Sequence, residues 1–97
     1  MSKVKNFRVP DSIKDYFKER GEKIANVFRL ARITPIVVEK SIINEYYAGS
    51  ETPIRLSDDE YDTIKDEADK LDMLPTVYMR LLMINYYQLE NMEGYQQ

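Results

Sequence analysis

Apolar and polar positions alternate along this chain in two distinct rhythms. Ile13, Phe17, Gly21, Ile24, Phe28 and Ala31 follow one another at spacings of four, four, three, four and three, which places them on one helical face. That continuity predicts a single long first helix running through Gly21. The alternative is a break at Gly21, since glycine inside a helix costs about 1 kcal/mol relative to alanine. Tyr61, Ile64, Ala68 and Leu71 form a second helical stripe, introduced by Ser57-Asp58-Asp59-Glu60. Those four residues make a capping box, in which Ser57 accepts from the amide of Glu60 and Glu60 reaches back to the amide of Ser57. The acids also suit the positive end of the helix dipole, and the helix is expected to stop near Asp72. Leu74-Pro75 then opens a helix carrying Met79, Leu82, Met83 and Tyr86, and Thr34-Pro35 opens its counterpart, because proline is tolerated at a first helical position. Threonine caps where leucine cannot, so the later of these two helices has the poorer start. Residues 4–9 and 52–56 show the other rhythm. Phe7 and Val9 share one face against Asn6 and Arg8, and Ile54 and Leu56 oppose Pro53 and Arg55, which reads as two short strands.

The order strand, helix, helix therefore occurs twice. Phe7-Arg8-Val9-Pro10-Asp11 overlies Ile54-Arg55-Leu56-Ser57-Asp58 at an offset of 47, and the register continues through Phe17 over Ile64 and Ile24 over Leu71. From Pro35 over Pro75 the offset is 40, aligning Val37 with Val77, Lys40 with Arg80 and Tyr46-Tyr47 with Tyr86-Tyr87. The first copy is thus seven residues longer, close to two helical turns, which would lengthen a helix while rotating its buried face by only about 20°. A single domain over residues 1–97 is expected, made of one motif at 3–48 and a second at 51–90. The tyrosine pairs read as core and rim, and the acidic run from Asp58 to Glu67 as a solvated helix face.

Composition narrows the chemistry. The chain has 97 residues with no cysteine and no histidine, which removes disulfides, thiolate nucleophiles, the commonest general base and the commonest zinc ligand. Three glycines build neither a phosphate-cradling loop nor a dinucleotide fingerprint, and the spread acids give no metal site, so no catalytic residue, cofactor or small-molecule substrate is expected. With no long apolar run and no basic-then-apolar start, no membrane partner is expected and a cytoplasmic location is. The net charge of −3 conceals an asymmetry: residues 1–48 hold ten Lys or Arg against six Asp or Glu, while residues 49–97 hold four against eleven. Opposite signs on the two halves also suit association between copies.

Ile54-Arg55-Leu56-Ser57, the acidic capped helix, Pro75-Thr76 and Met79-Arg80-Leu81-Leu82 resemble the ribbon-helix-helix family of DNA-binding regulators, and Phe7-Arg8-Val9-Pro10 with Thr34-Pro35 resembles it again. The likeness covers about residues 3–47 and 51–89, and tandem copies in one chain resemble regulators from archaeal viruses. It implies a mainly α fold of four helices and two short antiparallel strands, interlocked as a single-chain pseudo-dimer. It also implies a sequence-specific transcription regulator, a repressor, whose β-ribbon enters the major groove of double-stranded DNA and which self-associates there. Carried over, Asn6, Arg8 and Arg55 become base readers, and Thr34, Pro35, Pro75 and Thr76 the phosphate-facing helix starts; Lys3 adds a candidate phosphate contact by its charge, since backbone charge dominates DNA affinity. Two departures stand out: Asp72 occupies a turn where the family has glycine, and the first copy has no glycine at the turn predicted before Thr34. An antitoxin-like protein-interaction module of the same fold is the alternative. Such antitoxins need a long tail after the last helix, where about residues 90–97 are left.

Overall fold

The computed structural model describes residues 2–34 and 40–96, with side chains for 2–34 and 41–91. Its elements in chain order are β1 (Ser2–Val9), α1 (Asp11–Glu19), α2 (Ile24–Ile33), a 3-10 helix (Lys40–Glu45), β2 (Ser50–Ser57), α3 (Asp58–Lys70) and α4 (Pro75–Gln96). The fold is mainly helical with one two-stranded antiparallel sheet, as the two rhythms predict. Both strands are longer than the alternation marked. They pair along their whole length, from Ser2 opposite Ser57 to Val9 opposite Ser50. Pro10, which has no amide hydrogen to donate, ends β1 and serves as the N-cap of α1. Ser57 ends β2 and caps α3 through the expected box, accepting from the Glu60 amide at 3.1 Å while its own amide donates to Glu60 Oε1 at 3.0 Å.

The predicted long first helix is broken. Gly21 takes φ +74°, and the amides of Gly21 and Glu22 donate back to the carbonyls of Lys18 and Phe17, closing α1 in a left-handed cap. The same closure recurs after α3, where Asp72 takes φ +58° and the amides of Asp72 and Met73 donate to Asp69 and Ala68. Gly21 is thus the glycine that the first motif was expected to lack at its inter-helix turn. The helix after that turn starts at Ile24, eleven residues before the Pro35 start that Thr34-Pro35 suggests. Counting from the turns, Gly21 matches Asp72 and Ile24 matches Pro75 at an offset of 51, in place of the 40 read from the prolines. The extra four residues lie in α3, which is one turn longer than α1. Pro35 and Val37, which anchored the other alignment, lie outside the described residues.

The inward face of the ribbon supplies Phe7, Val9, Ile54 and Leu56 to the core, where they meet Ile13 and Phe17 of α1, Val27, Phe28 and Ala31 of α2, and Ile64 and Ala68 of α3. Each of these side chains other than the two alanines contributes about 1.5–3 kcal/mol by leaving water. The rings of Phe7 and Phe28 meet at 5.5 Å, joining the ribbon to α2. At the middle lies α4, in contact with β1, all three other helices and the 3-10 segment. Tyr78, Met79 and Leu81 to Asn85 are all buried, so this stretch is wrapped on every side but that of Arg80, as a nearly all-apolar helix must be. Tyr46, Tyr86 and Tyr87 pack partly buried against the core, whereas Tyr47 is exposed, which matches the core-and-rim expectation. Among the described residues no helix is long and apolar enough to cross a membrane.

Candidate nucleic-acid interface

Residues directly opposite in an antiparallel ladder point to the same side of the sheet. Since Phe7, Val9, Ile54 and Leu56 face the core, the outward side of the ribbon carries Ser2, Val4, Asn6 and Arg8 from β1 and Glu51, Pro53, Arg55 and Ser57 from β2. All are exposed. Asn6, Arg8 and Arg55 therefore share one surface, as their positions in the two strands predict. Lys3 does not: it pairs with Leu56 on the core side and reaches solvent from there. Lys5 has the same parity, and its ammonium lies 4.3 Å from the centre of the Tyr61 ring.

Local bonds hold the arginines in place. Arg8 Nη1 donates to the Gly49 carbonyl at 3.0 Å. Gly49 stands where a Cβ would collide with the Val9 carbonyl, so only glycine allows this approach of chain to chain. Arg55 Nη1 donates to Ser2 Oγ at 3.1 Å across the ribbon, and the Arg55 carbonyl accepts from Arg29 Nη2 at 2.7 Å. Arg29 also meets Glu60 at 3.5 Å. The backbone hydrogen bond at Ser57, followed by the Arg29 charge, holds the Glu60 carboxyl below its ordinary pKa against the opposing effect of partial burial.

The helix starts fall unevenly on the expected residues. Pro75 opens α4 and Thr76 follows, both half-buried, with Thr76 beside the outward residues Asn6, Arg8 and Glu51 in a cleft completed by Phe7, Val77 and Arg80. Thr34, in contrast, is the C-cap of α2, and its hydroxyl donates to the Leu30 carbonyl at 2.6 Å. It sits at the end of a helix where carbonyls, not amides, are free, which is the wrong polarity for phosphate. The equivalent of the α4 start is Lys23-Ile24, with Lys23 exposed as the N-cap.

Comparisons with family models, with curated proteins and with solved structures return no match. Function is therefore read from the surface itself. Its chemistry is that of a narrow ribbon bearing two arginines and an amide, able to offer paired N–H donors to planar acceptors, with one helix start beside it.

Four residues that bear on this region or on its counterpart in the other motif are not marked by the sequence. Val4, 52% exposed, stands between Ser2 and Asn6 and opposite Arg55, on the face that the alternation through Asn6 and Arg8 gives it. Lys23 follows the Gly21 turn and would have been found had that turn been read as a break. Arg29 and Arg80 match at the offset of 51 and lay out of register under the offset of 40.

Proposed function

We propose that this chain is a tandem ribbon-helix-helix protein, a single-chain pseudo-dimer that binds double-stranded DNA sequence-specifically as a transcription regulator, in the sense of a repressor. The observation that carries this reading is the outward face of the ribbon, where Asn6, Arg8 and Arg55 stand exposed on one side of a two-stranded ladder. A two-stranded ribbon fits the major groove, arginine spans guanine O6 and N7, and asparagine spans adenine N6 and N7. Support also comes from the order of elements. One offset, 47, relates the caps Pro10 and Ser57, and a second, 51, relates the turns Gly21 and Asp72 and the helix starts Ile24 and Pro75. Under the first offset the rotation centre of the ribbon falls on the pair Asn6 and Pro53. The phosphate-facing helix starts of this reading are Lys23-Ile24 and Pro75-Thr76.

The deciding experiment selects bound sequences from a random duplex pool and then measures affinity for the selected site and its single-base variants at several salt concentrations. Arg8→Ala and Arg55→Ala should each flatten preference at a base position, a loss of about 1–3 kcal/mol of discrimination. Absence of any selected sequence, or base preference intact in both variants, removes the ribbon as reading head.

A further inference from the structure

Between the ribbon and the start of α4 lies a cleft of about 220 Å³. Arg80 is an odd residue to find in its wall. Every other side chain from Tyr78 to Asn85 is buried, and Arg80 alone in that stretch reaches toward the surface, carrying its charge out of the most enclosed part of the core. Its Nε is buried and has no hydrogen-bond partner. Arg8 lines the same cleft, so two guanidiniums share one small space, and burial together with the nearby charge of Arg8 lowers the Arg80 pKa. Neither is in an ion pair among the described residues, and Arg8 gives a single N–H to Gly49. Each guanidinium has five N–H donors, so most of theirs are left to point elsewhere. Glu51 also lines the cleft and contributes one negative charge against two positive ones.

The matched position makes the contrast sharper. Arg29 stands in α2 where Arg80 stands in α4, and it is satisfied by Glu60 at 3.5 Å and by the Arg55 carbonyl at 2.7 Å. The place of Glu60 in the first motif is taken by Ile13, at the offset of 47. One arginine of the pair thus has its carboxylate built in, and the other has an open cleft. We propose that this cleft binds one phosphate group, held by Arg8 and Arg80 with the Thr76 hydroxyl. Such a group would accept from the N–H donors that the two guanidiniums leave unused, relieve the repulsion between them and still leave room for a few waters. Its source is either a DNA phosphodiester or a free phosphate, and only the first choice rests on the DNA-binding reading.

The test has two arms on the full chain. In the first, inorganic phosphate is titrated while NMR follows the Arg80 Nε–H and Thr76 amide signals. A saturable shift is expected, lost in Arg80→Gln, weakened about tenfold in Arg80→Lys, which keeps the charge without the fork, and kept in Arg29→Gln. Glu51→Gln should tighten phosphate severalfold. In the second arm, the salt dependence of duplex binding is compared for the unmodified protein and Arg80→Gln, with folding checked by circular dichroism. A slope reduced by about one unit identifies the phosphate as the duplex's own. An unchanged slope together with a saturable phosphate shift identifies a free ligand. No shift and no change of slope overturn the site, as does a phosphate shift that Arg29→Gln abolishes equally. If no duplex binds at all, the regulatory reading fails while the first arm still decides the cleft.

Discussion

Asp72 holds a backbone conformation that suits glycine, and replacing it should stabilise the protein. At φ +58° its Cβ crowds the neighbouring carbonyl, a strain of about 1–2 kcal/mol for an ordinary residue and less for aspartate, whose side chain can bond locally. Against relief of that strain stands the freedom glycine adds to the unfolded chain, about 0.5–1 kcal/mol. A second gain comes from charge: Asp72 lies just past the C-terminal end of α3, where a negative group opposes the helix dipole by about 0.3–1 kcal/mol. Asp72→Gly should therefore gain about 0.5–1 kcal/mol net, and Asp72→Asn, which keeps the left-handed tolerance and loses the charge, about half as much. Gly21→Ala is the mirror experiment. Nothing lies within 4 Å of a Cβ built there, so backbone strain of about 1–2 kcal/mol, less about 0.5–1 kcal/mol regained from a less free unfolded chain, leaves a net cost of about 0.5–1 kcal/mol. Urea unfolding followed by far-UV circular dichroism resolves these differences, which correspond to shifts of a few degrees in Tm. A loss of stability in Asp72→Gly, or no loss in Gly21→Ala, would show that the two helices of each run are not joined through left-handed caps.

Val4→Ala should weaken binding to a selected operator, and replacing the contacted thymine by deoxyuridine should remove the difference, since an exposed valine on the outward ribbon face is placed to meet a thymine methyl; equal losses on both duplexes would sink the contact. Glu67 accepts from Tyr78 Oη at 2.7 Å and from Arg32 Nη2 at 3.1 Å, joining α3 to α4 and α2, so Glu67→Ala should cost about 1–3 kcal/mol in urea unfolding; a neutral result would mean that the network is not formed. Because the Glu60 carboxyl titrates below its ordinary value of 4.5 in the folded protein, its stabilising effect is complete above that value and fades as pH falls through the lower folded one. Glu60→Gln should flatten the loss of stability in that acid range, and an unchanged profile would refute the assignment. Residues 1–48 and 49–97 made separately should each be unfolded or dimeric by sedimentation and circular dichroism, since β1 and β2 have each other as their only ladder partner among the described residues; a stable monomer from either half counts against the interlocked reading.

The strands, the Ser57 cap and the outward set of Asn6, Arg8 and Arg55 were legible because alternation and capping are local and leave little choice. The Gly21 break was not. Phe17 and Ile24 are seven residues apart, the same separation that two helical turns would give, because the left-handed turn between them is short and both helices face one core. Apolar periodicity therefore ran straight across a reversal of the chain, and only the glycine marked it. A reading that runs through that turn leaves the prolines of Thr34-Pro35 and Leu74-Pro75 as a false alignment, which puts a helix start at Thr34 where the residue caps a helix end. Arg80 stayed hidden for a different reason: in sequence it interrupts an apolar run, and only packing distinguishes an interruption that emerges into a cleft from one that lies on a wet face.

Because β1 and β2 belong to one polypeptide, the ladder between them closes at the same rate in a dilute solution as in a concentrated one. Two separate chains would have to find each other, and the population of paired ribbon would then fall as protein is diluted, whereas a linked pair has a fixed local concentration set by the chain between the strands. Unfolding midpoints of this molecule should accordingly be independent of protein concentration. The linkage also frees the two strands from identity. In a ribbon built from identical chains every substitution appears twice, while here Asn6 faces Pro53 and Arg8 faces Glu51, and each residue can change without imposing its change on the other side.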